Sequence, residues 1–372
     1  MVAKTKGIKE LFDEVIDTGL CASCGACVGD CPYMVYYKGK VRMLDLCGRD
    51  EGHCYEYCPR TRTDLDSLSR KLFAKPYDGS EIGTVKDIFM ARSTDPKILK
   101  KAQYGGTVTA LLALALAEKA IDKAILCRTD KDRMPAGHVA SSAKEILQCA
   151  GSNYIAYPAL EALNRMPRGS RDRLGIVLTP CQSIALAKMR LNPANHRADI
   201  DNVSLVVGLF CTWALAYDGF TGFLRENVDL PKVKKFDIPP PPANRFDVYT
   251  GKEVKSFTLD EVRQHRMPTC AYCLDMTAEF SDISVGAVEG KEGWNTVIVR
   301  SKRGADIIET AVRKGVLETR ALPQQNLAHL EEASLLKKTR GLKEIVSRTG
   351  SRNDLLYLEM PDDVREGLLG SG

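Results

Sequence analysis

Cysteine is the residue type in this chain best placed to do chemistry, and seven of its thirteen cysteines fall between residues 21 and 58. The first motif reads CxxCxxCxxxCP, with ligand positions at Cys21, Cys24, Cys27 and Cys31. In such motifs, tight turns wrap three thiolates around one cubane cluster, while the fourth thiolate binds a second cluster. We therefore predict a 4Fe-4S cluster on Cys21, Cys24, Cys27 and Cys58, with Cys31 turned toward a second site.

The second motif lacks its middle cysteine. Cys47, Cys54 and Cys58 are followed by Pro59, which leaves Cys31, Cys47 and Cys54 for the second site. That site then carries either a 3Fe-4S cluster or a 4Fe-4S cluster whose fourth ligand is Asp50, Glu51 or His53. Two alternatives stay open: zinc, which needs only four ligands and would leave three cysteines idle, and a Cys47 that is a buried thiol without metal.

Four further cysteines lie between residues 181 and 273. Cys181 lies just past "LGIVL", Cys211 closes "VSLVVGLFC", and "CAYC" supplies Cys270 and Cys273. The carboxyl ends of strands in an open α/β sheet gather at one edge, where ligands bind. These four thiols favour a third cluster at that edge. The alternative is that Cys181 and Cys211 are core residues and that the CAYC pair binds zinc or nothing.

The elements that must position these thiols alternate between strands and helices. Predicted strands are 123–127, 174–178, 203–211, 282–288 and 295–300, and predicted helices are 107–119, 182–191, 215–226, 303–315 and 328–346. This alternation predicts an α/β catalytic body with a mixed sheet, next to an N-terminal α+β ferredoxin-like iron-sulfur module. The predicted divisions are 1–62 for that module, 63–84 for a joining helix ("DLDSLSRKLF") and linker, 85–320 for the body and 321–372 for a C-terminal helix and tail. "IPPPPANR" at 238–245 is expected to be an extended surface connection.

Composition narrows the class of protein. The 372 residues are 44% hydrophobic and carry a formal net charge of +5, spread along the chain without a nucleic-acid-binding motif. The opening "MVAKTKGIKELFDEV" has no apolar signal region, and "TVTALLALALA" at 107–117 is too short to span a bilayer. We expect a cytoplasmic protein, at most peripheral on a membrane complex, that keeps its cysteines reduced and binds no nucleic acid.

Several longer segments carry a family resemblance in order along residues 85–320: "YGGTVTALLALALAE", "GSNYIAYP", "LTPCQ", "GLFCTWA", "CAYCLDMTAEFSDISVGAVEGKEGWNTVIVR" and "SKRGADIIETAVRKGVLE". Together they resemble the coenzyme F420 hydrogenase/dehydrogenase beta-subunit family, which includes formate dehydrogenase beta subunits. The resemblance implies an oxidoreductase that binds FAD and exchanges hydride with coenzyme F420. It also implies a 4Fe-4S cluster beside the flavin on Cys181, Cys211, Cys270 and Cys273. The implied redox partners are subunits of the hydrogenase, formate dehydrogenase or heterodisulfide reductase type.

The candidate flavin residues lie at the expected ends of strands and helices. No GxGxxG fingerprint follows the first strand of the body. "QYGGTVTALL" instead places Gly105, Gly106, Thr107 and Thr109 at a helix start, where free amides favour a phosphate. A glycine turn with a capping threonine is the alternative there, and the resemblance favours the phosphate site. Further candidate polar groups are Ser152, Thr179, Gln182, Trp294, Asn295 and Thr296.

Arg266, close to the CAYC loop, is the candidate cation for the anionic tail of coenzyme F420. No catalytic acid or base is nominated, because hydride transfer needs mainly positioning, and a flavin beside a cluster joins two-electron to one-electron chemistry. Two other functions stay open. The flavin could serve NAD(P)H or ferredoxin in an oxidoreductase complex, or the chain could be an iron-sulfur scaffold without flavin.

Overall fold

The computed structural model describes residues 6–49, 51–130, 133–193, 200–239, 243–251 and 253–370. The strands are β1 (Met34–Tyr37), β2 (Lys40–Met43), β3 (Thr63–Asp64), β4 (Asp87–Ser93), β5 (Lys123–Thr129), β6 (Pro135–Ala140), β7 (Leu174–Leu178), β8 (Val203–Leu209), β9 (Lys235–Asp237), β10 (Arg245–Thr250), β11 (Glu253–Thr258), β12 (Ile283–Ala287), β13 (Asn295–Val299), β14 (Leu317–Ala321) and β15 (Leu358–Glu359).

The helices are α1 (Ile8–Leu11), α2 (His53–Glu56), α3 (Leu65–Phe73), α4 (Pro96–Lys101), α5 (Thr107–Ala117), α6 (Ala143–Gln148), α7 (Ala159–Asn164), α8 (Pro180–Leu191), α9 (Tyr217–Asn227), α10 (Leu259–Arg263), α11 (Lys302–Arg313), α12 (Gln324–Thr349) and α13 (Asp362–Leu369). A π-helical turn at Phe12–Ile16 and 3-10 turns at Ile200–Asn202, Leu230–Lys232 and Pro268–Tyr272 complete the helical elements of the described residues.

The body is built on an eight-stranded mixed sheet with the order β14-β4-β13-β12-β8-β7-β5-β6. Its centre, β12-β8-β7-β5, is parallel, and the remaining pairings are antiparallel. The central strands are rich in buried Val, Ile and Leu, as expected for parallel strands that are covered on both faces. Their carboxyl ends therefore meet at one edge of the sheet.

Each face of this sheet is covered by helices. On one face α5, α6 and α11 pack against the sheet in a cluster that includes Leu111, Ile146 and Ile307. On the other face α7 and α8 pack through residues such as Leu160 and Leu186, and the N-terminal residues Cys24, Ala26 and Tyr57 join this second cluster. The N-terminal unit is thus packed onto the α7–α8 face of the body.

A smaller antiparallel sheet, β11-β10-β9, packs with α9 and α10 around Phe220, Phe236 and Phe246. The partly buried side chains of Tyr154 and Trp213 pack against this cluster. Because these two residues also line the cavity described below, the small sheet forms an outer support for one cavity wall.

The C-terminal region packs against the segment that joins the N-terminal unit to the body. Helix α12 packs with α3 and α8 through Leu342 and Ile345, and β15 pairs in parallel with β3. Gly341 allows α12 to approach closely, because a Cβ there would lie 3.1 Å from the backbone oxygen of Cys273. The long helix is therefore fitted against the CAYC loop.

The mixed α/β architecture predicted from the sequence is confirmed, and several boundaries differ. Strand 174–178 is found as predicted, whereas β8 ends at Leu209 because the amide of Cys211 leaves the ladder and donates to the oxygen of Met276. Helix α8 begins two residues earlier than predicted, after a capping box between Thr179 and Gln182. The strands β4, β6, β9, β10, β11 and β14 were not predicted. Asp50 and residues 240–242 of the proline-rich stretch lie outside the described residues.

Within the part of the chain that the structure describes, no helix combines the length and apolar character needed to cross a bilayer.

Candidate cofactor cavity and thiol groups

A cavity of about 640 Å³ lies at the carboxyl edge of the central parallel strands. Residues at or just past the ends of four strands line it: Cys127 of β5, Thr179 after β7, Cys211 after β8 and Ala287 of β12. Its volume falls in the range of small-molecule and cofactor sites, which is about 300 to 1,000 Å³. The cavity therefore occupies the place in the sheet where ligands of open α/β folds bind.

The start of helix α5 forms one wall of this cavity. Gly106 is its N-cap, with φ +68°, and no side chain caps the helix. Gly106, Thr107, Val108 and Thr109 all line the cavity, and the first amides of a helix have no partner within the helix. The amide and the hydroxyl of Thr107 both donate to Asn295 Oδ1, over 3.4 and 2.9 Å, which leaves the amides of Val108 and Thr109. This wall therefore offers a group of backbone donors and the positive end of a helix dipole.

A second wall of the cavity carries Gln103 and Tyr154. Gln103 Nε2 donates to the Tyr154 hydroxyl over 2.6 Å, whereas Gln103 Oε1 is buried and has no hydrogen-bond partner among the described residues. Both residues line the cavity. A buried acceptor without a partner is uncommon in native proteins, so this wall is suited to a ligand that brings a donor.

The structure brings together most of the predicted flavin residues. Gly106, Thr107, Thr109, Ser152, Thr179, Gln182, Asn295 and Thr296 line the cavity. Gln182 is engaged by the protein itself, because its Oε1 accepts from the Thr179 amide and its Nε2 donates to Tyr157 O.

Three predicted residues lie outside the cavity lining. Gly105 packs against β4 instead, since a Cβ there would lie 2.7 Å from Ala91 O. Trp294 is buried beside the guanidinium groups of Arg92 and Arg320, each 4.7 Å from its ring. Arg266 is exposed on the surface.

Cys181, Cys211, Cys270 and Cys273, here called the body thiol group, all line the cavity. Burial raises the pKa of Cys270 to about 11, and the thiols of Cys273 and Cys181 act on it as neighbouring charges. Burial also raises the pKa of Cys211, as do the thiols of Cys270, Cys181 and Cys273, against the opposing effect of Lys337. The four side chains are thus close enough to interact electrostatically.

Two buried cations face the body thiol group. Lys337 Nζ donates to the backbone oxygens of Cys211 and Asp275 over 2.6 and 2.7 Å, and Arg60 lines the same cavity from the N-terminal side. Neither cation forms an ion pair with a carboxylate among the described residues, although the buried Asp275 acts on Lys337 as a neighbouring charge. Although burial raises the pKa of Cys273, these two cations hold it below its ordinary value. Buried charge needs a counter-charge, so this site fits an anionic metal–thiolate group.

Cys21, Cys24, Cys27 and Cys58, the first N-terminal thiol group, are also close neighbours. Burial raises the pKa of Cys24 well above its ordinary value, and Cys58, Cys181 and Cys21 act on it electrostatically. Burial likewise raises the pKa of Cys27, and the thiols of Cys24, Cys21 and Cys58 add to that effect. Ala22 and Arg60, which are close in sequence to Cys21 and Cys58, line the same cavity as Cys181, so the first N-terminal thiol group approaches the body thiol group.

Lys188 of α8 fixes the segment that carries Cys58. Its Nζ donates to Cys58 O, Arg62 O and Thr61 Oγ1 over 2.6, 2.8 and 2.9 Å. Burial lowers the pKa of Lys188 to about 8, against the raising effects of Cys58 and Cys24. One helix of the body therefore carries Cys181 at its start and holds the Cys58 segment near its end.

Cys31, Cys47 and Cys54 form the second N-terminal thiol group. Burial raises the pKa of Cys54 to about 12, and Cys31 and Cys47 act on it as neighbouring thiols. Cys31 and Cys47 are only partly buried. Of the predicted fourth ligands, Glu51 is exposed and His53 stacks on Tyr57 at 5.0 Å.

Among the described residues, no group of three or more His, Cys, Asp or Glu side chains is arranged to hold a metal ion. The fit of the three thiol groups to iron-sulfur clusters rests on their donor chemistry: soft thiols, buried or partly buried, with two buried cations beside the body thiol group. Binding would require these thiols to lose their protons to the solvent.

Sequence reasoning missed several residues around the site. Arg60, Lys188 and Lys337 looked like ordinary charged residues, and only the cysteines and Pro59 near Arg60 marked its segment as special. Cys127 and Cys149 also line the cavity. Their isolation in the sequence gave no signal, although burial, together with Cys149, raises the pKa of Cys127 to about 12.

Two family models match the chain, and both describe the beta subunit of "Coenzyme F420 hydrogenase/dehydrogenase". The model of its amino-terminal part covers residues 88–164, and the model of its carboxyl-terminal part covers residues 171–325. These ranges include the sheet, most of the cavity lining and the body thiol group.

Individual proteins agree with the models. The chain is 35% identical over 273 residues to the coenzyme F420 hydrogenase subunit beta of Methanothermobacter thermautotrophicus, covering 72% of this chain and 96% of that protein. It is 30% identical to the coenzyme F420-dependent sulfite reductase of Methanocaldococcus jannaschii over 91% of this chain, which spans 52% of that protein.

A solved structure gives the same result at the level of the fold. The chain superposes with a TM-score of 0.66 and 32% identity on a chain of the F420-reducing NiFe hydrogenase complex from Methanosarcina barkeri, covering 72% of this chain and 94% of that one. Models, relatives and fold thus agree. The chain belongs to the coenzyme F420 hydrogenase/dehydrogenase beta-subunit family, a family of oxidoreductase subunits.

Proposed function

We propose that the chain is an FAD- and iron-sulfur-containing electron-transfer subunit, which exchanges hydride with coenzyme F420 and passes single electrons to a redox partner subunit. The observation that carries the proposal is the cavity itself, which has the start of helix α5 on one wall and the body thiol group on another. Bound FAD would supply two-electron hydride chemistry, and iron-sulfur clusters would supply one-electron steps.

Within the cavity, the chain offers separate groups for the different parts of FAD. The first-turn amides at Val108 and Thr109 are suited to a pyrophosphate, while the Thr107 amide is bonded to Asn295 Oδ1. The unpartnered Gln103 Oε1 is suited to a ring or amine N–H. Gln182 acts by positioning, because it holds Thr179 and the Tyr157 backbone in place. Further hydroxyl and amide groups of the lining come from Ser152, Thr179, Asn295 and Thr296.

The thiol groups would hold the clusters along one path. In this proposal the body thiol group and the first N-terminal thiol group each bind a 4Fe-4S cluster. The second N-terminal thiol group binds a 3Fe-4S cluster or a 4Fe-4S cluster with a fourth, non-cysteine ligand. Residues 1–62 then act as a ferredoxin-like module, joined through 63–84 to the body at 85–320 and flanked by the tail at 321–372. The exposed Leu44 and Leu46, close in sequence to Cys47, favour the second group as the outer end of this path.

Coenzyme F420 and the partner subunit would meet different parts of the chain. Arg266 is exposed, and its sequence neighbour Met267 lines the cavity. It is therefore proposed to hold the anionic tail of the deazaflavin. The partner subunit, of hydrogenase, formate dehydrogenase or heterodisulfide reductase type, would receive or deliver electrons at the N-terminal module of a peripheral cytoplasmic assembly.

Anaerobic purification of the full chain tests this proposal. We expect releasable FAD, iron with acid-labile sulfide, and bleaching of the flavin absorbance by reduced coenzyme F420 but not by NADH or NADPH. Bleaching by a nicotinamide alone would favour a nicotinamide-dependent subunit. Protein that contains iron but no releasable flavin would favour a scaffold.

Two cysteine variants test the site assignment within the same preparation. Cys181→Ala should lose about one third of the bound iron, because Cys181 belongs to one of three proposed cluster sites. Cys149→Ala is the matched control: Cys149 also lines the cavity but belongs to none of the three thiol groups. It should keep the full iron content. Equal iron contents in both variants would contradict the assignment of Cys181.

A further inference from the structure

Arg60 contacts the first N-terminal thiol group and lines the same cavity as the body thiol group. Its backbone amide donates to Cys58 Sγ over 3.4 Å, and its guanidinium is hydrogen-bonded to Thr269, the residue before Cys270. The residue is only 3% exposed. It therefore connects the first N-terminal thiol group to the body thiol group through one residue.

The guanidinium is held rigidly by neutral partners. Its Nε donates to Thr269 Oγ1 over 2.8 Å and its Nη1 to the Tyr357 hydroxyl over 2.5 Å. The Tyr357 hydroxyl in turn donates to Tyr272 O over 2.7 Å. None of these contacts neutralises the positive charge, and no carboxylate of the described residues pairs with Arg60. A buried cation held in this way is available to compensate an anion beside it.

The other buried cations near the thiols contact one group each. Lys337 hydrogen-bonds to the backbone of Cys211, in the body thiol group. Lys188 hydrogen-bonds to the backbone of Cys58, in the first N-terminal thiol group. Arg60 differs from both because its amide reaches the Cys58 sulfur of one group, while its guanidinium is bonded to Thr269, next to Cys270 of the other.

We propose that Arg60 is a positioning residue for electron transfer, which sets the reduction potential of the cluster in the body thiol group and links it to the cluster at Cys58. This inference rests on the proposed function. Each reduction adds one electron to a cluster, with no bond formed or broken, so the reduced state carries one more negative charge. A fixed, buried cation in the same cavity lining stabilises that state, and the amide's N–H···S hydrogen bond to Cys58 acts in the same direction on the neighbouring cluster.

The test uses the full chain, reconstituted anaerobically, with each cluster followed by EPR during a potentiometric titration. In Arg60→Met we expect at least a tenfold change in the reduced-to-oxidised ratio of the body cluster at a fixed potential, toward the oxidised form. A tenfold change in this ratio corresponds to a reduction potential that is lower by about 59 mV for a one-electron step. Arg60→Lys, which keeps the charge, should recover most of the shift. A residue with a purely structural role would not produce this recovery.

Arg62→Met is the matched control, because Arg62 is two residues away and pairs with Glu359 at the surface. It should leave both potentials unchanged. Thr269→Val provides a second variant that keeps Arg60 itself: it removes one acceptor of the guanidinium, and we expect a smaller shift in the same direction. If Arg60→Met loses its iron, the potential measured in Thr269→Val tests the role of Arg60 instead.

The possible failures are distinguishable. Wild-type protein without cluster signals would overturn the proposed function and this inference with it. Wild-type protein with normal clusters, together with unchanged potentials in iron-replete Arg60→Met or Thr269→Val, would overturn the inference alone.

Discussion

The side-chain amide of Asn164 donates to the backbone oxygen of Val28 over 2.7 Å, joining helix α7 of the body to the N-terminal cysteine motif. The same nitrogen lies 3.1 and 3.0 Å from the oxygens of Gly25 and Ala26. Gly25 permits this approach, because a Cβ there would lie 2.8 Å from the Glu161 amide. One fully buried amide therefore holds the loop that carries Cys24 and Cys27.

Asn164→Asp should separate the cysteine loop from the body. The carboxylate has nearly the same shape but cannot donate, so it leaves buried acceptors unsatisfied and repels them. We expect a loss of about 3 kcal/mol in the free energy of unfolding of the iron-free chain, measured in urea, and reduced iron at the first N-terminal thiol group. Asn227→Asp is the control, because the hydrogen bond that Asn227 Nδ2 forms among the described residues stays within its own helix, at Phe223 O. It should cost under about 1 kcal/mol and keep all iron. Equal losses in the two variants would refute the role of Asn164.

Lys338 and Glu279 form an ion pair that is almost completely buried, at 1% and 4% side-chain exposure. Lys338→Met would leave the Glu279 carboxylate buried without its cation, which costs about 3 to 5 kcal/mol. The double variant Lys338→Met with Glu279→Gln should recover part of this loss. Lys302→Met, which removes the exposed pair with Asp306, should change the unfolding free energy by under about 1 kcal/mol.

The cost of Lys338→Met should also depend on pH. Burial raises the pKa of Glu279 to about 7, and Lys338 opposes that rise. Without the ammonium, the folded-state pKa of Glu279 goes higher still, while the unfolded value stays near 4.5. The folded protein then binds more protons than the unfolded chain, so stability falls as pH rises between these values. Urea unfolding at about pH 5 and about pH 8 should show the larger loss at the higher pH, and a larger loss at the lower pH would contradict the burial of this charge.

Gly106→Ala should weaken the cavity wall at the start of α5. Gly106 has φ +68°, and an added Cβ would lie 2.7 Å from Ile98 Cγ2, so the helix start must shift. We expect about 1 to 2 kcal/mol of destabilisation from the backbone conformation, and weaker retention of FAD, measured as flavin released from the purified protein. Gly290→Ala is matched in backbone conformation, with φ +65°, but its Cβ would meet nothing within 4 Å. It should lose stability but keep FAD.

The thiol sets follow from local spacing, because tight turns and strand ends determine which cysteines meet. The structure places Cys181, Cys211, Cys270 and Cys273 around one cavity, and Cys21, Cys24, Cys27 and Cys58 around another. The grouping of Cys31, Cys47 and Cys54, and the binding of clusters by any of these sets, stay predictions. Arg60, Lys337 and Asn164 could not be found in this way. Each looks like an ordinary polar residue in the sequence, and only tertiary packing buries it beside a cysteine segment. Strand β4 was missed for a related reason. The segment "DIFMARS" does not alternate cleanly between apolar and polar residues, and pairing with β13 and β14 fixes it as a strand.

Cys47→Ala tests the second N-terminal thiol group by itself. Cys31 and Cys54 alone supply too few thiolates for a cluster, so we expect loss of that cluster only, with the FAD and the other iron retained. EPR of the oxidised wild type should distinguish the two predicted forms, because an oxidised 3Fe-4S cluster is paramagnetic and an oxidised 4Fe-4S cluster with two positive charges is silent. His53→Ala separates the forms further: it should remove iron only if the imidazole is the fourth ligand. Unchanged iron in Cys47→Ala would show that Cys47 is a metal-free thiol, and the proposed path would then end at the first N-terminal thiol group.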